Sequence, residues 1–298
     1  MIEKPETAAG EFEAIIGMEV HAELLTNSKL FCGCSAQFGG EPNTRCCPVC
    51  LGLPGALPVA NRRAIEFVVM SALALNCHIN RDTFFHRKNY FYPDLPKAYQ
   101  ISQYGDSPIG VYGWVEIETE DGGTKKIGIR RVHLEEDTGK LIHATPTTSE
   151  VDYNRSTVPL MEVVTEHHPR PGFDQIRTAF EAKDYITKLR LILTYLGVCD
   201  GKMEEGSLRC EPNISVRSIG SDEYGTKTEI KNLNSFTAVF KGVEYEVDRQ
   251  VKTIKAGGVI EQETRRWDDE NSATAPMRGK ESEQEYRYFP EPDLLPFH

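Results

Sequence analysis

The chain has 298 residues with 34 Lys or Arg against 45 Asp or Glu, so its formal net charge is −11 at pH 7. Hydrophobic residues make up 39% and charged residues 27%, a globular composition that excludes wholesale disorder, collagen and coiled coil. Apolar stretches are too short to span a bilayer, and the acidic balance argues against nucleic-acid binding by bulk charge. Residues 1–12 lack the apolar core of a secretory signal, so we expect a cytoplasmic protein without a membrane partner.

Periodicity of apolar residues predicts the elements in chain order. The pattern indicates a strand over 13–25, a helix over 62–75, and strands over 113–119 and 126–134 joined at Asp121-Gly122, a hairpin turn. A strand over 158–165, a helix over 174–196, strands over 208–216 and 226–233, a helix over 236–255 and a strand over 286–289 follow. Pro212 indicates that its strand is an edge or contains a bulge. Neighbouring strands with short turns predict an α+β fold, a largely antiparallel sheet with flanking helices.

Five of the eight cysteines lie within 19 residues. Disulfides are disfavoured without a secretory signal, and Gly52 and Pro54 break the helix that a redox Cys-x-x-Cys motif requires. Two closely spaced thiolate pairs can close a tetrahedral zinc site. We therefore predict structural zinc in an insertion at about residues 30–52, with the role of Cys46 open, on four ligands: Cys32, Cys34, Cys47 and Cys50. Three further thiols are predicted to be buried: Cys77, Cys199 and Cys210.

Carboxylates on strands form a second candidate site. Glu19 and His21 point to one face of the first strand, and Glu162 interrupts an apolar run where an unpaired charge is costly. Such residues on neighbouring strands can hold Mg²⁺ beside a nucleotide, but the pattern fits a half-exposed polar face equally well. Three consecutive residues after the third strand are further candidates: Glu135, Glu136 and Asp137.

Residues 87–100 mix basic and aromatic side chains, which suits phosphate or base contacts, although composition alone favours a packed surface loop. The chain has neither a Gly-x-x-x-x-Gly-Lys-[Ser/Thr] nor a Gly-x-Gly-x-x-Gly motif. A phosphate-handling site here would therefore depend on a metal and basic side chains.

Long motifs connect the chain to a known family. They are GMEVHAEL from Gly17, CPVCLGLPG from Cys47, RKNYFYPDLPKAYQISQ from Arg87, HLEEDTGK from His133, DYNRSTVPLMEVVTE from Asp152, KMEEGSLRCEPNIS from Lys202, EIKNLNSF from Glu229 and EYRYFPEPDLLP from Glu285. The sequence closely resembles the B subunits of aspartyl/glutamyl-tRNA(Asn/Gln) amidotransferases (GatB) nearly end to end. It departs from them at Thr157, where a small residue such as glycine is frequent, and at the extra thiol of Cys46.

The resemblance implies a glutamine synthetase/guanidino kinase-like core and a two-step ligase reaction. ATP would phosphorylate the side-chain carboxylate of Glu-tRNA(Gln) or Asp-tRNA(Asn). Ammonia released from glutamine by a partner amidase, the A subunit, would then displace the phosphate, in a complex that also contains a small C subunit. Residues 1–298 would form the catalytic (cradle) domain, without the family's C-terminal helical and tail tRNA-binding domains.

The resemblance also implies roles for individual residues. It assigns Mg²⁺ to Glu19, His21, Glu136 and Glu162, and leaves Glu135 and Asp137 as alternative ligands. Catalysis is assigned to Glu136, Glu162, Glu205, Arg209 and Lys231. Nucleotide contacts are assigned to Ser207, Asn232, Lys88 and Tyr90. The ammonia outlet or the tRNA end is assigned to Lys88, Tyr90, Lys97, Tyr99 and Gln103.

Two other function classes remain open. A zinc-dependent RNA-binding module without catalysis would show no tRNA-dependent ATP turnover with partner subunits. An amide-forming ligase for a small acid would amidate free glutamate. The sequence also leaves open the preference between the two tRNAs and the presence of a third subunit.

Overall fold

The computed structural model describes residues 11–103, 106–145, 148–279 and 286–298. Its elements are, in chain order, β1 (Phe12–Glu23), α1 (Arg62–Ala74), β2 (His78–Ile79), β3 (His86–Asn89), β4 (Tyr99–Ser102), β5 (Gly110–Glu118), β6 (Thr124–Glu136), β7 (Lys140–Thr145), β8 (Thr148–Asp152), β9 (Pro159–Thr165), α2 (Ala179–Tyr195), β10 (Leu208–Ser218), β11 (Thr228–Lys231), α3 (Phe236–Lys255), β12 (Glu263–Asp268), β13 (Ala273–Gly279) and β14 (Phe289–Pro290). No helix in these ranges combines the length and apolar composition of a membrane span. Residues 1–10 and Glu285, where the last family motif begins, lie outside the described residues.

Twelve strands form one sheet in the order β13-β12-β11-β10-β1-β9-β6-β4-β3-β14, with β5 paired to β6 and β2. The neighbours β11 and β12 run parallel, and the other described pairs of this sheet are antiparallel. Strands β7 and β8 form a separate ribbon. The predicted α+β class with a largely antiparallel sheet is therefore confirmed.

The structure corrects three predicted elements. The second helix begins at Ala179 and not at 174, because Ile176 forms an isolated bridge with Ile16 and Thr178 is the N-cap. Strand β10 lies between β1 and β11 in a continuous register with β1, so the edge or bulge predicted from Pro212 is wrong; the pairing with β11 involves only Asn213 and Ile214. The last strand, predicted over 286–289, covers Phe289–Pro290.

One face of the sheet is apolar and packs against all three helices. Alternate residues of β1 enter this core because successive strand side chains point to opposite faces. They share one hydrophobic cluster with side chains of the helices, among them Met18, Val20, Ala22, Phe67, Val68, Tyr185, Leu189, Val239 and Val243. On the central strands, the residues between these apolar ones are mostly polar and point to the opposite face of the sheet. We call that face the polar face.

A β-bulge in β6 decides which of its residues reach the polar face. The register with β9 shifts between Ile129 and Arg131, so that Arg130 is an extra residue. Before the bulge Ile127 and Ile129 lie in the core, and after it Val132 and Leu134 do. The bulge thereby reverses the alternation of the strand, as such insertions do, and turns the odd-numbered residues after it to the polar face.

Candidate active site

Two histidines and two glutamates from three adjacent strands meet on the polar face. His21 of β1 is the cross-strand neighbour of Glu162 of β9, which is in turn the neighbour of His133 of β6. Glu135 follows His133 on the same face of β6. We call these four residues the histidine–glutamate set.

The side-chain nitrogen and oxygen atoms of the set lie close enough to one another to bind a single ion. His133 Nε2 is 2.9 Å from Glu162 Oε2, and His21 Nε2 is 3.4 Å from both Glu135 Oε1 and Glu162 Oε1. Ligand atoms of His133, Glu135 and Glu162 all lie within 4.8 Å of one another. His133 Nδ1 is buried without a hydrogen-bond partner in the described structure. Two carboxylates at this spacing are a donor set that fits a divalent cation.

The four groups shift one another's protonation. Burial opposes the charge on His21, but hydrogen bonding to Glu135 and the charge of Glu162 raise its pKa to about 9. Burial likewise opposes the charge on Glu162, yet His133 and His21 lower its pKa to about 2. Burial also opposes the charge on Glu135, while His133 and His21 hold its pKa well below the usual value. The carboxylates are therefore ionised and attract positive charge.

A second acidic cluster lies beside the first on the polar face. Ligand oxygens of Glu19, Glu211 and Glu229, from β1, β10 and β11, lie within 4.8 Å of one another. Lys231 Nζ is 2.7 Å from Glu211 Oε2 and 3.8 Å from Glu229 Oε1. The predicted residues Glu19 and Lys231 thus lie in the same cluster, and Lys231 is the basic side chain that pairs with its carboxylates.

Arg209 of β10 lies beside His21 on the polar face. It is the cross-strand neighbour of His21, and its Nη2 donates to Asp137 Oδ2 at 2.6 Å. Burial and the nearby carboxylate of Asp137 raise the pKa of Glu23 to about 8. Arg209 therefore lies on the polar face, paired with Asp137.

The structure does not bring Glu136 to the set. Its side chain is buried, with Oε1 2.7 Å from Lys97 Nζ and Oε2 accepting from Thr157 Oγ1 at 2.9 Å. Glu136 follows Leu134 on the apolar side of β6, because strand residues alternate. The expectation of Glu136 beside His21 is thus corrected, and Glu135 occupies that place. Glu136 instead lines a cavity of about 210 Å³ together with Lys97, Tyr99 and Thr157.

Three predicted pocket residues make local contacts instead. Glu205 is exposed and accepts from Lys202 Nζ at 2.9 Å. Ser207 is buried, and its hydroxyl contacts Asp200 and the carbonyl of Lys202. The amide of Asn232 donates to the carbonyl of Trp267. Two other predicted residues, Lys88 and Tyr90, lie closer to the histidine–glutamate set, because the charge of Glu135 acts on the pKa of both.

The cysteine segment between β1 and α1 brings its four predicted ligands together. The Sγ atoms of Cys32, Cys34, Cys47 and Cys50 all lie within 4.8 Å of one another. Tetrahedral zinc with Zn–S bonds of about 2.3 Å needs sulfurs about 3.8 Å apart, so this donor set fits the ion. Cys46 lies outside the four, with its Sγ 4.0 Å from Asn154 Oδ1. The three remaining thiols are buried, as predicted.

The four cysteines interact as an ionisable group. The thiol of Cys32 donates to Cys50 and lowers the pKa of Cys50 to about 4, against the effect of burial. The backbone N–H of Cys47 and the charge of Lys29 act in the same direction. These contacts favour the thiolate of Cys50, and thiolate is the form of cysteine that binds metal.

Sequence reasoning missed several residues of the polar face. No role was predicted for His133, Glu211, Glu229 or Glu23. Alternation in 131–135 marks His133, and alternation in 208–216 marks Glu211. Arg209 and Glu211 alternate with Leu208 and Cys210, which face the core. For β6, the signal appears only after the bulge, because the alternation changes phase near Arg130 and 126–134 read as one strand has no single pattern.

Comparison with known proteins connects this face to a family. The profile of the GatB/GatE catalytic domain matches residues 14–298, which contain the histidine–glutamate set and the cysteine cluster. The chain belongs to this family. Proteins named as B subunits of aspartyl/glutamyl-tRNA(Asn/Gln) amidotransferase are 59% identical in Thermoanaerobacter sp. (strain X514) and 56% identical in Brevibacillus brevis, each over 286 residues and 96% of this chain. A third, from Thermodesulfovibrio yellowstonii, is 58% identical over the same share. The chain spans 58% of the length of each of these relatives.

Proposed function

We propose that the chain is the catalytic portion of one subunit of a tRNA-dependent amidotransferase. It would use ATP to phosphorylate the side-chain carboxylate of Glu-tRNA(Gln) or Asp-tRNA(Asn), which is then amidated with ammonia. The observation that carries the proposal is the histidine–glutamate set on the polar face, in a chain of the GatB/GatE family. The names of the relatives supply the substrate class and the amidotransferase activity. A ligase that forms a carbon–nitrogen bond is the type of enzyme that the proposed reaction requires.

The arrangement suits this chemistry. A free carboxylate is a poor electrophile, because ammonia would have to displace an oxide; phosphorylation converts that oxygen into part of a phosphate leaving group. The substrate carboxylate and the nucleotide are both anions, so the site must offer positive charge to bring them together. We assign this task to Arg209, Lys231 and Lys88, which lie on or beside the polar face.

Mg²⁺ is the cofactor that the set would hold. We assign its binding to the carboxylates of Glu135 and Glu162 and to His21 and His133 as neutral imidazoles, since the ion would displace the protons that these rings hold without it, with Glu19 in the neighbouring cluster. When bound, the ion would offset repulsion between the two anions. The cysteine cluster would hold structural zinc, which stabilises a segment that otherwise lacks regular structure.

Partners follow from the same proposal. An amidase, the A subunit, would supply ammonia, and a small C subunit would belong to the complex. The cavity lined by Lys97, Tyr99 and Glu136 is a candidate part of the ammonia outlet. Gln103 is a weaker candidate, because it is buried and its Oε1 accepts from the backbone of Leu134. We also retain the prediction that the sheet is a glutamine synthetase/guanidino kinase-like core.

The test is reconstitution of the protein with its partner subunits, ATP and each misacylated tRNA. Glu162→Ala should abolish ATP-dependent amidation, since it removes a central carboxylate, and leave glutamine hydrolysis largely intact. Glu116→Gln, which changes an exposed carboxylate of β5, is the matched control and should retain amidation. Normal amidation by Glu162→Ala would refute the site.

The same assay separates the alternative functions. Amidation of free glutamate would favour the small-acid ligase, and a wild-type protein without tRNA-dependent ATP turnover would favour an RNA-binding module.

A further inference from the structure

Two tyrosine rings lie beside the ammonium of Lys88 at the edge of the polar face, and a third packs against one of them. Lys88 Nζ lies 4.8 Å from the ring centroid of Tyr286 and 5.8 Å from that of Tyr90. The rings of Tyr90 and Tyr286 meet edge to face at 5.9 Å, and those of Tyr286 and Tyr288 do so at 6.2 Å. We call Tyr90, Tyr286 and Tyr288 the tyrosine box.

The box is fixed by contacts between two distant parts of the chain. Strand β14 pairs with β3, the strand that contains Lys88, through Phe289 and Arg87. The amide of Asn89 donates to the carbonyls of Tyr286 and Arg287 at 3.3 and 2.8 Å. Arg87 Nε lies 2.7 Å from a buried oxygen of Glu291. The tyrosines on both sides of Arg287 are therefore held against Lys88 by backbone and ionic contacts independent of the rings.

Lys88 is charged but keeps its hydrogen-bond donors. Within the described ranges, its ammonium has no hydrogen-bond acceptor, and no carboxylate lies within 4.0 Å of it. Burial acts to lower its pKa, but Tyr288, Glu135, Tyr90 and Glu162 outweigh burial and raise it. A ring face attracts a cation without accepting its N–H groups in the way that a carboxylate does. Such an ammonium is held in place while three donors stay available for an anion.

We propose that the tyrosine box positions Lys88 to donate hydrogen bonds to a phosphoryl oxygen of the nucleotide bound at the polar face, which makes Tyr286 a positioning residue for phosphoryl transfer. The inference rests on the proposed function for the identity of the anion. A phosphoryl group fits because Lys88 faces the carboxylates assigned to Mg²⁺: it is the cross-strand neighbour of Gln100 in β4, and Ser102, on the same face of β4, donates to Glu135 Oε2 at 3.1 Å. A lysine binds phosphate as a point charge. It also assigns a role to the 286–290 segment, for which sequence analysis offered only a strand.

The test is a graded series at position 286 in the reconstituted enzyme. Tyr286→Phe keeps the ring face and should retain kcat within about twofold. Replacing that Phe by ring-fluorinated analogues of nearly equal size weakens the attraction for a cation step by step. We expect kcat of ATP-dependent amidation to fall with each added fluorine, to about tenfold for three, and the dissociation constant of Mg·ADP measured by calorimetry to rise in parallel. The KM for aminoacyl-tRNA should stay unchanged.

Another cation–ring pair, outside the proposed site, serves as a control. Lys126 Nζ lies 4.3 Å from the ring centroid of Trp114, on β6 and β5. Lys126→Met removes this cation and should leave kcat and Mg·ADP binding unchanged. Thermal denaturation of each position-286 variant checks the fold, which the fluorinated rings should preserve because they have nearly the size of Phe.

The outcomes separate the two proposals. A wild-type protein that binds Mg·ADP, combined with a flat fluorine series, would overturn the role of the box and leave the proposed function intact. A wild-type protein that neither binds Mg·ADP nor turns over ATP would overturn both.

Discussion

Thr157 adopts a left-handed backbone conformation, with φ of 70°, although its side chain is β-branched and buried. Such a conformation is unfavourable for a β-branched residue and persists where the surroundings fix it. Here the backbone N–H donates to the carbonyl of Asp137, the carbonyl accepts from Leu30, and the hydroxyl donates to Glu136. The strain therefore coincides with a contact that orients the buried pair of Glu136 and Lys97.

The first prediction concerns this hydroxyl. Thr157→Val keeps the strain and leaves the Glu136 carboxylate without one donor, so it should lower the free energy of unfolding by about 2 kcal/mol, as for a hydrogen bond to a charged group. Thr157→Ser keeps the hydroxyl without β-branching and should stay within about 1 kcal/mol of wild type. Urea denaturation measures both. Equal stability of the Val variant and wild type would show that the hydroxyl does not hold Glu136.

At the scale of elements, the bulge in β6 converts a core strand into a strand with functional residues. Without Arg130 as an extra residue, His133 and Glu135 would continue the row of Ile127 and Ile129 and point into the apolar core. Nothing in the local composition marks the bulge, because pairing with β9 creates it. The strand and its acidic end could therefore be predicted from the sequence. Which of the two glutamates, Glu135 or Glu136, lies beside His21 could not.

Deletion of Arg130 tests this reading of the bulge. The deletion should force His133 and Glu135 toward the core, where unpaired polar groups are costly, and prevent cooperative folding. Arg130→Ala removes only an exposed side chain and should unfold like wild type. Circular dichroism melts distinguish the two. A deletion variant with a wild-type melting curve would mean that the bulge does not set the phase of β6.

The other strands around the site were more predictable. Alternation in β1 correctly placed Glu19 and His21 on one face, because the strand has no bulge. The spacing of the cysteines correctly brought four Sγ atoms together, since tight turns fix such pairs locally. The box around Lys88 could not be predicted, because β3 and β14 lie about two hundred residues apart in sequence and meet only in the folded sheet.

At the scale of the whole molecule, part of the excess acidic charge behind the net charge of −11 is concentrated at one place. Carboxylates from five adjacent strands gather on or beside the polar face, namely Glu19, Glu23, Glu135, Glu162, Glu211 and Glu229. Basic groups among them are fewer, and like charges so close repel. The acidity therefore favours a cation at this face, and it is compatible with the proposed RNA substrate, whose aminoacylated end would reach that cation.

The cysteine cluster is attached to the sheet through the loop between β8 and β9. Ser156 donates to the carbonyl of Cys50, and Arg45 donates its backbone N–H to Asn154, so the segment packs on the loop that leads into β9. If zinc holds the cluster, chelation should lower the melting temperature by about 5 °C or more, because binding energy at such sites contributes to folding. Cys34→Ser should melt at the chelated temperature with or without chelator. A wild-type protein that contains no zinc on elemental analysis, or whose melting is indifferent to chelation, would contradict the assignment.

The central claim is that the substrate carboxylate is phosphorylated at the histidine–glutamate set. The most direct measurement follows oxygen. Glu-tRNA(Gln) or Asp-tRNA(Asn) labelled with ¹⁸O in the side-chain carboxylate is amidated by the reconstituted enzyme with ATP, and the inorganic phosphate is analysed by mass spectrometry. We predict one ¹⁸O transferred to phosphate for each amide formed, and neither product with Glu162→Gln. Amide formation without ¹⁸O in the phosphate would contradict the account.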